Sequence, residues 1–268
     1  MKSALKPAHL PDPTQRQAAM REEYYAQYYE FENNNWWFVS RRKILRALLA
    51  KFLPDAGSPR AILDAGCGTG INLALLSEFG EVLGVDRSSE AIRFCRLRNA
   101  ANVRQAEIID LPFGSETFDL ATALDVLEHI SDDQKALSEI VRVCKPGGHV
   151  LITVPVFPSL WCEHDEINQH VRRYEPRRIR ALVSGQGLTI VHQSFMNAWL
   201  LPAALIWRWR KQFIRLFARN EDLARADNMH HHPWINNLLT AVFSSEAPLV
   251  CGPGLPIGLS LILFAQKR

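Results

Sequence analysis

The chain predicts an α/β fold, a mostly parallel sheet with helices on both faces. Three observations carry that expectation. Short apolar runs of strand length alternate with segments of helical periodicity. The first run, Ala61-Ile-Leu-Asp-Ala65, passes directly into Gly66-Cys-Gly-Thr-Gly70. A second run, Glu81 to Asp86, also ends in an acid. The 268 residues are 47% hydrophobic, enough to bury a full core. A net charge of +3 gives no ground for a nucleic-acid surface.

Residues 1–20 carry Pro7, Pro11 and Pro13, contain no apolar signal core and read as a flexible tail. The aromatic and acidic patch Glu22 to Phe31 follows, then Trp36-Trp37-Phe38. Val39 to Leu53 has a helical stripe of Ile44, Leu45, Leu48, Leu49 and Phe52, with Arg41, Arg42 and Lys43 on the exposed face. Strand one ends at Asp64, and Ile71-Asn72 opens a helix behind the glycines. Strand two is followed by a helix over 89–99, and a third strand runs into Gln105. Phe118 to Asp125 is strand four, and Ser131 or Asp132 caps a helix with Leu137, Ile140, Val141 and Cys144 on one face. Lys145-Pro-Gly-Gly148 leads into strand five, His149 to Pro155. Pro176 to Ser184 is helical, Leu188 to Met196 is strand six, and Gly258 to Gln266 is strand seven.

About sixty residues separate the last two strands, far more than an ordinary connection of about 2–6 residues. The expected organisation is therefore a tail (1–20), an N-terminal aromatic lid or helix (21–57), a core (58–197), a helical insertion (198–257) and a last core strand (258–268).

The glycine turn is the strongest chemical signal. Without a Cβ the backbone can approach a ligand and take positive φ, and the helix start behind it favours a negative group. A nucleotide-like ligand is the natural guest. The dinucleotide fingerprint G-x-G-x-x-G does not fit: the third glycine comes one residue early, at Gly70, and Ile71 stands in its place.

Taken in order, the glycine turn, Glu81–Asp86, Gln105–Phe113, Phe118–Asp125 and Lys145–Pro155 resemble the class I S-adenosylmethionine (SAM)-dependent methyltransferases of the type 11/12 kind. The resemblance covers residues 36–196 and the last strand. It implies a Rossmann-like, seven-stranded, mostly parallel sheet with the helical insertion between strands 6 and 7, and SAM as cofactor. It also implies roles for single residues. Asp64 accepts from the cofactor ammonium, directly or through water, while Gly66 and Gly68 admit its methionine and ribose portions. Asp86, with Arg87 beside it, receives the ribose hydroxyls. Glu107, where the family usually has Asp, receives the adenine amino group, with Asp110 as rival. Ile108 and Leu111 cover the adenine face, and Asp125 lies near the methyl donor. An N-terminal helix closes over the cofactor in such enzymes. Trp37 then offers a ring face to the sulfonium and Arg41 a fork to the carboxylate; the alternative is that these aromatics pack the helix onto the sheet.

Asp125-Val-Leu-Glu128-His129 is the second signal. A helix starting near Asp125 would put all three polar side chains on one face. The segment resembles the Glu-x-x-Glu-His of ubiquinone-biosynthesis O-methyltransferases and small-RNA 2′-O-methyltransferases. That likeness implies a Mg or Zn site of Asp125, Glu128, His129 and a downstream histidine, here His170, although Asp125 stands where those families have Glu. The same residues also suit a general base, so the catalytic candidates are His129, His170 and Asp125, with His164 as a rival. The plain alternative is that Glu128 and His129 only brace the helix.

The remaining signals concern the acceptor. Arg172, Arg173, Arg177, Arg178 and Arg180 surround Tyr174, as an anion receptacle or a solvated helix face. Trp199 to Trp207 is apolar, and Arg208, Arg210, Lys211, Arg215 and Arg219 follow among aromatics. This suits a substrate lid or an interfacial helix in peripheral contact with a membrane. His230-His231-His232 reads as a polar loop, since consecutive residues cannot all face one ion. Five cysteines without CxxC spacing suit reduced thiols and a cytoplasmic protein.

The expected function is methyl transfer from SAM to a small, partly apolar acceptor at oxygen, a phenol or quinone precursor or a lipid- or glycan-linked intermediate. DNA is not expected, and RNA is disfavoured because no RNA-binding module is visible. The sequence leaves the oligomeric state open. The alternatives are a different use of SAM and a non-catalytic, membrane-apposed binding subunit.

Overall fold

In the computed structural model, which describes residues 22–53, 57, 59–206 and 232–268, the apolar runs pair into one sheet. Its strands are β1 (Arg60–Ala65), β2 (Gly80–Asp86), β3 (Val103–Gln105), β4 (Phe118–Leu124), β5 (Cys144–Pro155), β6 (Leu188–Met196) and β7 (Ser260–Lys267). They lie in the order β3-β2-β1-β4-β5-β7-β6. The first five pair in parallel, and β7 runs antiparallel to both β5 and β6. From β1 the chain winds outward through β2 to β3, then returns to β4 on the other side. A crevice is left outside the carboxyl ends of β1 and β4, where ligands bind in sheets of this kind.

Helices cover both faces. One face receives α2 (Trp36–Phe52), whose Asn35 cap accepts from Trp37 N at 2.9 Å. Its Ile44, Leu45, Leu48 and Leu49 are buried against Ile62, Leu120, Leu151, Ile262 and Phe264, each contributing roughly 1.5–3 kcal/mol of burial. The other face receives α5 (Asp133–Val143) and α7 (Pro176–Gly185) through Leu137, Ile140, Ile179 and Val183. The helix α4 (Ser89–Leu97) follows β2.

Four places gain detail. The helix behind the glycines, α3, is a single turn, Leu73–Leu76. The aromatic patch Glu22–Phe31 is itself a helix, α1. No helix starts at Asp125: that residue takes φ 58, and Leu127–His129 forms only one 3-10 turn. Four of the five arginines around Tyr174 are engaged by the protein itself. Arg172 and Arg178 reach Asp133 at 2.6 and 3.1 Å, Arg173 reaches Asp165 at 2.8 Å, and Arg180 bonds Gln193.

In the expected insertion, residues 201–206, α8 (Pro233–Ser244) and α9 (Ala247–Cys251) are helical. Arg208, Arg210, Lys211, Arg215, Arg219, His230 and His231 lie outside the described residues, so the basic amphipathic half and most of the histidine run do too. His232 precedes α8 as its N-cap. Among the described residues, no helix is long and apolar enough to cross a membrane.

Asp133 tethers the segment 170–178 to α5. Besides the two arginines, the fully buried Tyr174 places its hydroxyl 2.9 Å from the carboxylate and 3.1 Å from Leu127 O. Removing one partner of such a cluster leaves buried charge unpaired. Asp133→Ala should lose about 3–5 kcal/mol in urea unfolding, and a loss below about 1 kcal/mol would show that the tether is not needed.

Candidate active site

A cavity of about 1140 Å³ opens at the carboxyl ends of β1 and β4, between the glycine turn and the loops after β5. At one end, β1 delivers the chain into a turn pinned to β2: Gly66 N and Cys67 N both donate to Val85 O, at 2.8 and 2.9 Å. Gly66 has φ 81, and a Cβ there would stand 2.5 Å from Val126 Cγ2. Gly68 has φ 55, and a Cβ there would meet nothing within 4 Å. The first glycine is needed for packing, whereas the second presents bare backbone to the open cavity.

Asp86 closes this end. One carboxylate oxygen accepts from Gly68 N at 3.0 Å and the other from Ser88 N at 2.9 Å, and burial raises its pKa. Arg87, Glu107 and Ile108 line the cavity beside it, while Asp110 and Leu111 do not. Asp64 does not line it either. It lies beneath the turn, 1% exposed, and accepts from Thr122 Oγ1 at 2.6 Å. Burial pushes its pKa up to about 6, and its Oδ2 has no protein partner. Of its two expected routes to a cofactor ammonium, direct or through water, this geometry does not prepare the direct one.

The N-terminal helices cover the turn. Buried Glu32, just past α1, accepts from Thr69 Oγ1 and from Arg98 Nη2. Arg98 also donates to Thr69 O at 3.0 Å, Tyr29 O at 2.7 Å and Asn33 Oδ1 at 2.7 Å. Sequence reading missed this latch, because Glu32 sits unmarked in an acidic stretch and Arg98 lies 66 residues away. Arg41 and Trp37 both line the cavity. The Arg41 fork is already engaged, with Asp125 at 2.6 Å and Thr153 Oγ1 at 2.9 Å. Trp37 stacks on Phe243 of α8, ring centres 5.2 Å apart, with the Arg41 guanidinium 5.9 Å from its centroid.

The other end holds the second signal in altered form. Asp125 donates its N–H to Thr153 O at 3.0 Å and accepts from Thr153 Oγ1 at 2.8 Å. Held there by Arg41, it does not join the expected ligand set. Among the described residues, Glu128, His129 and His170 are the group whose donor atoms all lie within 4.8 Å of one another. Glu128 is fully buried, and neither carboxylate oxygen has a partner. Burial, then the nearby Asp125 charge, raises its pKa well above the carboxylate range. Burial, then His170, pushes His129 down to about 3, so His129 is a neutral imidazole near pH 7. The two rings meet edge-on at 4.7 Å, and His164 stands 6.3 Å from His170. The Tyr28 hydroxyl donates to Asn168 Oδ1 and fastens α1 to this end.

Residues 63–152 match the family described as a methyltransferase domain. The domain belongs to the class I SAM-dependent methyltransferases. An uncharacterized 37.1 kDa protein of transposon Tn4556 from Streptomyces fradiae is 26% identical over 214 residues, 73% of this chain and 62% of that protein. A tRNA (carboxymethyluridine(34)-5-O)-methyltransferase from Arabidopsis thaliana is 37% identical over 142 residues, 52% of this chain and 33% of that protein. The chain thus spans less than two thirds of either relative. The methyltransferase solved with the Trm112 activator from Haloferax volcanii shares the fold, with TM-score 0.60 and 16% identity over 93% of this chain and 96% of that one. The expectation against RNA finds no support beside a tRNA-modifying relative.

The methyltransferase family implies SAM, and the donor end fits it. Gly68 leaves a cradle that a side chain would fill, and Asp86 keeps lone pairs beyond those given to the turn. Charge-assisted hydrogen bonds contribute about 1.5–3 kcal/mol. Asp86→Ala should therefore weaken SAM about 10- to 100-fold in titration calorimetry; an unchanged affinity would remove Asp86 from the cofactor site.

Proposed function

We propose that this domain transfers a methyl group from SAM to a hydroxyl oxygen of a small, partly apolar acceptor. The observation that supports it most is the continuity of one cavity from the glycine turn and Asp86 to His129, His164 and His170. SAM supplies an electrophilic methyl on a sulfonium, so the chain need only align an oxygen and accept its proton.

The lining favours an uncharged, ring-bearing acceptor over a phosphorylated one. Tyr28, Trp36, Trp37 and Phe38 contribute aromatic faces, and Arg41 and Arg173 of the same wall are each paired with a carboxylate. A phenol or quinone precursor matches this chemistry better than an anionic head group. The choice of base follows from the burial of His129. An imidazole depressed to about 3 is a weak proton acceptor at neutral pH. His129 therefore shapes the site and His170 takes the proton.

A divalent ion on Glu128, His129 and His170 is the rival use of the same cluster, and the unpartnered Glu128 oxygens favour it. Methyl-labelled SAM with a panel of phenols, repeated after EDTA treatment, separates the two. The proposal expects labelled ether product and activity that survives chelation. Activity lost to EDTA and restored by Mg or Zn would replace the base with an ion. Label passing only to tRNA would overturn the small acceptor.

A further inference from the structure

Behind His170, outside the cavity wall, lies a carboxylate that the functional reading does not yet use. Asp165 belongs to the short helix α6 (Glu163–Ile167) and is fully buried. Three donors converge on it: Cys162 N reaches Oδ2 at 2.8 Å, and Arg173 Nε and His170 Nδ1 each reach Oδ1 at 2.8 Å. The backbone closes the same loop, His170 N donating to Asp165 O at 2.8 Å. Arg173 is anchored from behind by donation to Val156 O at 3.3 Å.

Arg173 Nε and Cys162 N already donate to this carboxylate, so it acts as an acceptor and the proton on the Asp165–His170 axis sits on Nδ1. Nε2 is then the nitrogen with a lone pair. We propose that Asp165 is a positioning residue that fixes His170 as the Nδ1–H tautomer and so reserves Nε2 for the proton of the acceptor hydroxyl. The inference rests on the methyl-transfer reading. In the step, the acceptor O–H bond breaks and its proton goes to Nε2. The oxygen forms the new bond to the methyl carbon, whose bonding pair to sulfur stays on sulfur. The imidazolium left at His170 is held against the Asp165 charge until its proton passes to water. Arg173 pairs with Asp165 at 2.8 Å and gives a counter-charge to an acid that never touches the cavity.

The isosteric Asp165→Asn tests this. The variant keeps the size of the side chain and an oxygen for Cys162 N, but it no longer fixes the tautomer. With a phenol that wild type methylates, kcat should fall at least about 100-fold, while KM and SAM affinity stay near wild type; the thermal midpoint should fall, because buried Arg173 loses its counter-charge. In a His170→Ala background the same substitution should cost nothing more. An unchanged kcat, or losses that multiply in the double variant, would overturn the proposal. Imidazole nitrogen NMR of the wild-type protein needs neither turnover nor a folded variant: a protonated Nδ1 on His170 is expected, and a protonated Nε2 with bare Nδ1 would refute the assignment. If no acceptor is methylated, the spectrum still decides the tautomer, so failure of the methyl-transfer reading is told apart from failure of this one.

Discussion

The ion pair between Arg41 and Asp125 organises the site. Arg41 enters on α2 with 8% of its side chain exposed, and a cation that buried needs a partner. Asp125, just past β4, supplies it at 2.6 Å from a left-handed conformation with φ 58. That conformation interrupts the helix that the spacing suggests, and the chain restarts only as the turn Leu127–His129. Glu128 and His129 are thereby turned toward His170 instead of lining up with Asp125. Breaking such a pair costs about 3–5 kcal/mol. One contact therefore joins the covering helix to the sheet and separates the acid from the imidazole cluster.

The electrostatics of the cavity follow from burial acting on each group in turn. At the far end, burial favours the uncharged forms of both Glu128 and His129. The charges that remain are in fixed pairs, Arg41 with Asp125 and Arg173 with Asp165. Fixed, paired charge beside aromatic faces suits the uncharged ring of the proposed acceptor, and the proposal assigns its proton to His170. At the near end, Asp86 spends part of its carboxylate on Gly68 N and Ser88 N, so the turn is set before a ligand arrives.

The sheet and the donor end were legible because they are written in local pattern. Ile62 to Ala65 is buried on both sides and reads as an apolar run, and positive φ at Gly66 and Gly68 is what alternate glycines announce. The acceptor end was not, because its geometry is set by contacts between distant residues. Arg41 captures Asp125 across 84 positions of chain, and Asp133 gathers Arg172, Tyr174 and Arg178 from 39 to 45 residues away. No periodicity records such pairings. Asp165 is one letter of Glu163-His-Asp-Glu166, and nothing in its spacing marks it as the partner of His170.

The central claim is that cofactor binding and proton transfer occupy opposite ends of one cavity. The most direct measurement pairs SAM calorimetry with labelled methyl transfer for His170→Ala. The account predicts SAM affinity within about twofold of wild type and turnover at least about 100-fold lower. Equal losses of affinity and turnover, or turnover that survives, would contradict it.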